Sequence, residues 1–347
     1  MRVLIISAQE DFRFPLAEAG RKQIFAEAVR LQTEGMEVKI MIVTPRSREK
    51  IIHDGIPITL VRKVDLLRRV GYLRGFDSLH FWGTTGVVAL MVGLLGRPVP
   101  RLFTVTDGGV LSIGSRAWLR KILARLMPYF YERFDVFTRY QERVLSRISA
   151  RYQSRVEMRL PVLSRVQRPR REKAARPTML YMGHLSRFKG VDIVVRVFEN
   201  LLPEFPDLQL VIADNGLVYD DSGRASVIEL RDRFPQHVSI KGRVDPYEEL
   251  SRAHLLIYPV RRHSGTFAFP LSLFESLQCG TPFLSTRLDG FLEFFDEYFL
   301  CEKGDTKDFS ARAKEILTSP EQAEQDVAHN LERFSDLTAT VIRERAL

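Results

Sequence analysis

Cysteine is almost missing from this chain: 347 residues contain two, Cys279 and Cys301. Two thiols cannot build a disulfide framework, and the absence of any CxxC pair or Cys/His cluster excludes the common structural zinc patterns. A reducing compartment and no metal are therefore expected. Long hydrophobic runs are missing as well. The longest, VVALMVGLLG over 87–96, is about half of what a bilayer-crossing helix needs and predicts a buried helix. The opening MRVLIISAQEDF meets Glu10 and Asp11 after a short apolar run, too soon for a signal peptide, and reads as a first strand. No internal repeat of solenoid period is present, which excludes repeat architectures.

What is present suits a globular protein: 45% hydrophobic and 27% charged residues, in a chain long enough that two cores are the expectation. Acidic residues are scarce in one half only. Residues 1–176 hold 33 Lys and Arg against 16 Asp and Glu, and the remainder holds 19 against 27. An excess of 17 positive charges in the first half implies an anionic surface or substrate, or else a solvated basic exterior. No signature of an RNA-binding module accompanies it, so no nucleic acid is expected.

The alternation of elements is that of an α/β protein. RVLIIS, GRKQIFAEAVRLQTEGMEVKIMIV, SLHFWG and RLFTVTD read as strands and helices of a parallel sheet, with Gly35 closing the first helix. The run RVQRPRREKAARP over 165–177 lacks apolar periodicity and reads as a basic linker. The pattern then restarts with TMLYMG, DIVVRVFENLL, LQLVIAD, VSIKG, HLLIYPV and PFLST. The expected division is 1–164, linker 165–177, a second domain over 178–330, and a terminal helix over 331–347 packing back on the first domain. A cleft between two such domains is the usual place for a ligand.

Within the second half, TFAFPLSLFESLQCGTP places Pro270 at the expected first position of a helix that Gly280 and Pro282 end. A helix start offers unpaired N–H groups and a partial positive charge, which suits phosphate. Glu275 lies five residues past Pro270, roughly 7.5 Å along the axis, so its carboxylate could reach hydroxyls beside such a phosphate. An ordinary core helix bearing a solvated glutamate is the alternative. In LYMGHLSRFKGVDIVV, Arg187 and Lys189 precede another helix beside Gly190, and can either neutralise phosphate or sit in a solvated loop.

Taken in order, YMGHLSRFKGVD, HVSIKGRVDPYEELSRAHLLIYPVRR and FAFPLSLFESLQCGTPFLSTRLDGFLE resemble the successive signatures of the retaining GT-B glycosyltransferases of family 4. The resemblance is specific from about Thr178 to Glu293. Over the first domain it is looser, resting on the opening strand, Gly20, LHFWG and FTVTDGG. It implies two Rossmann-like, doubly wound domains facing a central cleft. It further implies a cytoplasmic enzyme that moves a sugar, with retention, from a nucleotide-diphosphate sugar to an acceptor hydroxyl in glycan, lipopolysaccharide or glycolipid synthesis. By this resemblance Lys189 pairs with the diphosphate, Glu275 accepts hydrogen bonds from ribose hydroxyls, and Arg243 and Val244 line the base. Backbone N–H groups near Phe269, Leu271 and Ser272 face the diphosphate or donor sugar. Gly20 either lets backbone approach the phosphate from the opposite wall or is an ordinary glycine before a helix. Apart from the donor itself, no cofactor is implied.

Three positions depart from the family pattern. Phe267 stands where a glutamate that touches donor hydroxyls is usual. His184 replaces the arginine that partners the lysine, with Arg187 near enough to substitute. Asp107 stands where many relatives carry a histidine near the reacting sugar, and either accepts a hydrogen bond from a sugar or caps a turn with Gly108 and Gly109. These departures keep open a catalytically silent sugar-nucleotide binder, and the fold alone keeps open an epimerase. His80 and Trp82, at a strand end, are candidates for an acceptor pocket or for core. SRAWLRKILARLMPYFYERF, with Arg116, Arg120 and Lys121 among Trp118, Leu119, Ile122 and Leu126, and RKVDLLRRVGYLRGF combine basic and apolar residues. Both suit either packing on a sheet or peripheral attachment to an anionic leaflet on the cytoplasmic face, where a lipid-linked acceptor would be met.

Overall fold

A computed structural model describes residues 1–8, 19–45, 49–84, 86–106, 117–161, 172–214, 223–263 and 266–346, the side chains of 19–21, 117, 120 and 336–346 excepted. The chain forms two compact units: 1–165 together with 263–269, and 166–262 together with 270–347.

In the first unit the elements run β1 (Arg2–Ala8), α1 (Ala19–Thr33), β2 (Glu37–Thr44), β3 (Glu49–His53), β4 (Ile56–Arg62), α2 (Val70–Leu73) and β5 (Ser78–Gly83). They continue with α3 (Val87–Leu95), β6 (Arg101–Val105), α4 (Ala117–Leu126), β7 (Arg133–Val136), α5 (Arg139–Ile148) and β8 (Val156–Met158). The eight strands lie in the order β3-β4-β2-β1-β5-β6-β7-β8, and all pairs are parallel except β3 with β4. Strands such as VLII of β1 are buried on both faces, as a parallel sheet covered by helices requires. Gly35, at φ +80°, ends α1 in the left-handed conformation that glycine adopts without a Cβ clash. The β3–β4 hairpin turns through Asp54 and Gly55, both at positive φ.

One sheet face is apolar: Leu4, Ile6, Phe81, Phe103 and Phe134 pack with Ala89 and Val92 of α3, Leu123 of α4 and Leu145 of α5. The run at 87–96 is therefore a helix, but not a buried one. Ala89, Val92 and Gly93 face the sheet while Val87 and Leu94 stand exposed, because a helix on the outside of a sheet has only one face to bury.

The other face carries charge. Arg159 lies between Glu27 of α1, which it contacts through Nη2, and Asp135 of β7, whose Oδ2 accepts from Nη1 at 3.0 Å. All three are buried. Burial raises the pKa of Glu27, but hydrogen bonds and charge from Arg30 and Arg159 outweigh it and hold the carboxyl below its ordinary value. His80 of β5 faces the same layer. Burial lowers its pKa to about 4, against the opposing pull of Glu27 and Asp135, and its Nδ1 has no hydrogen-bond partner.

The second unit contains β9 (Thr178–Met182), α6 (Val191–Leu201), β10 (Gln209–Ala213), α7 (Arg224–Arg233), β11 (Val238–Lys241), α8 (Pro246–Arg252) and β12 (Leu255–Tyr258). It ends with α9 (Leu271–Gln278), β13 (Phe283–Thr286), β14 (Leu300–Cys301), α10 (Thr306–Thr318) and α11 (Pro320–Ala346). Its sheet is wholly parallel, in the order β11-β10-β9-β12-β13-β14. Residues in the second half of the basic run are tied into this unit: Lys173 Nζ donates to Ala253 O at 2.6 Å and to Thr281 Oγ1 at 2.8 Å, and Ala174 N donates to Arg252 O. The last helix is not a separate element beginning at 331. It starts at Pro320, and Phe334 packs on Phe274 and Phe294, with the chain through Leu347 grouped in the second unit.

Both tryptophans, Trp82 and Trp118, lie in the first unit, so their fluorescence reports its unfolding. The unfolded chain protonates His80 near its ordinary value of about 6.5, whereas the folded unit does so only near 4. Between those values the unfolded state holds more protons, so acidification through this window favours unfolding. Urea unfolding followed by tryptophan emission is expected to lose up to about 3 kcal/mol of stability from pH 7 to pH 4 through this residue. His80→Asn is expected to flatten that dependence.

Candidate active site

In the second sheet the chain leaves β9 toward β10 and β11 on one side, and leaves β12 toward β13 and β14 on the other. The direction of winding thus reverses between β9 and β12. Adjacent loops diverge at such a switch point and leave a crevice at the carboxyl ends of the strands, where open α/β sheets bind ligands. One wall is the loop 183–190 after β9. The other is the segment 259–262 directly after β12.

The two walls are held together by backbone. Gly190 has φ +76°, and a Cβ there would meet the Pro259 carbonyl oxygen at 2.0 Å, so only glycine allows this approach. Arg261 N donates to Phe188 O at 2.9 Å, and Arg261 Nη2 pairs with Asp192 Oδ2, in the first turn of α6, at 2.5 Å. On the β9 side, Tyr181 Oη donates to His184 O at 2.6 Å, and Ser186 N donates to the same carbonyl. His184 is therefore held by its backbone at the start of the loop.

Cations gather on this frame. Lys189 Nζ lies 5.4 Å from the Phe188 ring centroid and 5.9 Å from that of Tyr258, and Arg262 lies 5.3 Å from the Phe188 ring. Lys189 is half-buried against aromatic faces that attract a cation, unlike a fully solvated loop lysine, while Arg187 is exposed. Burial raises the pKa of the Tyr258 hydroxyl. Ser186 Oγ, Asp192 Oδ1 and Arg261 Nε are buried without hydrogen-bond partners. Such groups are costly unless water or a ligand satisfies them.

Helix α9 begins at Leu271. Pro270 is the residue before its first turn rather than within it, with ψ 89° and no side-chain cap. Leu273 N donates to Pro270 O, which leaves the amides of Leu271 and Ser272 at the helix start. Glu275 is 8% exposed, so it is not a solvated surface glutamate. Of the residues expected at the site, His184, Arg187 and Lys189 come together on one wall, and Leu271, Ser272 and Glu275 belong to the helix that follows the other. Arg243 and Val244 follow β11, two strands from β9 on the same carboxyl edge, with Arg243 exposed and Val244 half-buried.

The remaining expected residues belong to the first unit. Phe269 is fully buried, so its side chain is core and only its backbone is available to a ligand. Phe267 packs on Phe137 with centroids 5.2 Å apart, and Phe137 in turn lies 6.2 Å from Trp82. Ala268 N donates to Thr106 O at 3.0 Å, and His263 stacks on Tyr140 at 4.4 Å. Gly20 is the second residue of α1, and Asp107 lies outside the described residues. The sequence reading missed Ser186, Asp192, Arg261 and Arg262. VRR directly after a strand that ends at a switch point is the signal that could have found the two arginines.

Two doubly wound units, one with cations gathered at its switch point, give the architecture of the GT-B fold. The sequence model of the family Glycosyl transferases group 1 matches residues 165–331. The fold is similar to that of Anabaena HepE, crystallised in complex with UDP, at 11% identity and TM-score 0.76, covering 100% of this chain and 98% of that one. In sequence the chain is similar to one subunit of human phosphatidylinositol N-acetylglucosaminyltransferase, 28% identical over 132 residues that cover 36% of this chain and 25% of that protein. It is also similar to N-acetyl-alpha-D-glucosaminyl L-malate synthase of Bacillus anthracis, 26% identical over 147 residues, 41% of this chain and 36% of that one. The chain thus covers less than half the length of these curated relatives.

Gly190→Ala is expected to part the two walls at a cost of at least about 2 kcal/mol, since it combines a left-handed φ with a backbone clash. Faster amide exchange in Thr178–Met182 and Leu255–Tyr258, with the first unit's tryptophan-monitored unfolding unchanged, is the check.

Proposed function

We propose that the protein is a retaining glycosyltransferase of family 4 that transfers a sugar from a nucleotide-diphosphate donor to an acceptor hydroxyl. The observation that best supports this reading is the switch point between β9 and β12: the loop after β9 carries Lys189, the chain after β12 leads to the uncapped start of α9, and Glu275 is buried one turn along that helix. A pyrophosphate there meets an ammonium charge and helix amides, and Arg187 adds a second charge where His184 replaces the usual arginine. As the acceptor oxygen bonds to the anomeric carbon, the bond to the phosphate oxygen breaks and negative charge grows on the departing diphosphate. Donors already oriented at that position stabilise the change, which is commonly the largest catalytic contribution. The reading assigns this charge to Lys189, Arg187 and the amides of Leu271 and Ser272 rather than to a metal ion. Glu275 receives ribose hydroxyls, and Arg243 and Val244 face the base. Asp107 and Gly20 serve the reacting sugar and the phosphate from the first unit.

Two comparisons support the donor class: the UDP complex of HepE and the relatives named for N-acetylglucosaminyl chemistry. The acceptor is a glycan or a lipid-linked saccharide in glycan, lipopolysaccharide or glycolipid synthesis, reached at the cytoplasmic face of a membrane by the basic first half. Attachment in this reading is peripheral; no helix among the described residues is long and apolar enough to cross a bilayer.

A thermal-shift panel of UDP-, GDP-, ADP- and dTDP-sugars tests the donor, because a ligand of the native state raises the melting temperature. One donor class is expected to stabilise the protein and to be hydrolysed slowly without acceptor. Lys189→Ala is expected to slow that hydrolysis about 100-fold or more, and Glu275→Ala to abolish the thermal shift. Unchanged turnover in both variants would refute the site, and binding without any turnover would leave a silent sugar-nucleotide binder.

A further inference from the structure

We propose that the outer surface built by the 3-10 turn Lys63–Arg69, α3 and α4 is a membrane-docking face that seats on the headgroups of an anionic bilayer. The proposal rests on the membrane-facing part of the function above and gives it a location.

The three elements pack side by side over the apolar face of the first sheet. Each sends one set of apolar residues inward: Leu66 from the turn, Ala89 and Val92 from α3, and Leu123 and Met127 from α4 and its end. Sheet packing is thereby complete. Yet each element also presents apolar residues outward. Val64 and Leu67 are 69% and 60% exposed, Trp118 is 64% exposed, and Leu94, Ile122 and Leu126 also face solvent. On α4 the outward residues recur at 118, 122 and 126, a helical stripe that flanks the buried one at 119, 123 and 127. Isolated exposed apolar residues are ordinary, but a group on adjacent elements marks an interaction surface.

The charge around them selects the occupant. From Lys63 to Tyr131 the chain has ten Lys and Arg, three Asp and no Glu. Two of those aspartates are already engaged: Asp65 is buried and pairs with Arg62, and Asp77 accepts from the backbone N of Arg2. Asp107 lies outside the described residues. Lys63, Arg68, Lys121 and Arg125 are exposed on the same elements as the outward apolar residues. Leucine, valine, isoleucine and tryptophan gain by entering the acyl boundary while lysine and arginine meet phosphate, which is the pattern of an interfacial surface. A nucleic acid would use the cations but leave the aliphatic side chains exposed to water.

The test is sedimentation of the full chain with phosphatidylcholine vesicles, with and without phosphatidylserine, at low and high salt. Binding is expected only with phosphatidylserine, weakened by salt, and accompanied by a blue shift of Trp118 emission. Arg68→Gln with Lys121→Gln and Arg125→Gln, and separately Leu67→Ser with Trp118→Ser, are each expected to weaken binding more than tenfold, since each charge near the leaflet contributes about fivefold. All five side chains are outside the core, and unchanged circular dichroism and an unchanged sugar-nucleotide thermal shift separate this result from misfolding or from failure of the donor site. Absence of binding at low salt, equal binding by the variants, or loss of a self-association instead of lipid binding would overturn the proposal.

Discussion

The contact of Gly190 with the carbonyl of Pro259 is the constraint on which the site depends. Parallel strands β9 and β12 are neighbours whose connections run in opposite directions, so nothing in the sheet itself holds the two loops together. The missing Cβ lets one backbone lie against the other, and the Arg261 amide fastens the second loop to Phe188. Lys189, Arg262 and Asp192 are thereby carried on one frame. Cations gathered this closely repel one another, and the Phe188 and Tyr258 rings with the Asp192 carboxylate offset the repulsion. The orphaned polar atoms of Ser186, Asp192 and Arg261 mark where that frame is incomplete without water or ligand.

The exchange of a glutamate for Phe267 has a packing counterpart. An aromatic series from Trp82 through Phe137 to Phe267 belongs to the first unit, joined there by the Ala268 to Thr106 hydrogen bond and the stacking of His263 on Tyr140. A carboxylate at 267 would lie against an aromatic ring and need a polar partner to compensate its desolvation. Apolar packing thus occupies this position, and in the proposed reaction hydroxyl recognition is left to other groups.

Charge is handled differently in the two faces of the first sheet. One face buries Glu27, Arg159 and Asp135 as a connected group, in which the guanidinium holds the Glu27 carboxyl below its ordinary pKa. The opposite face has an apolar interior and, beyond its helices, an exterior where basic and apolar side chains alternate with hardly any acid.

Much of this was readable along the chain. Apolar strands buried on both sides, amphipathic helices and Gly35 each express a local preference, so the α/β alternation, the restart after the basic run and the phosphate-suited segments at Lys189 and Pro270 needed only their neighbours in sequence. The β3–β4 hairpin, β8 and β14 escaped because short edge strands carry little periodicity. The exposure of Val87 and Leu94 escaped because an apolar run does not say how many of its sides will be covered. Which strands adjoin, and hence that the loops after β9 and β12 meet at a switch point, was decided only by the tertiary fold, as were the burial of Glu275, the union of Phe267 with Phe137, and the assembly of Glu27, Arg159 and Asp135. The reason is physical: propensity acts over a few residues, whereas pairing, burial and charge compensation join groups far apart in sequence, such as Glu27 and Arg159, 132 positions apart, brought together only when the sheet closes its order.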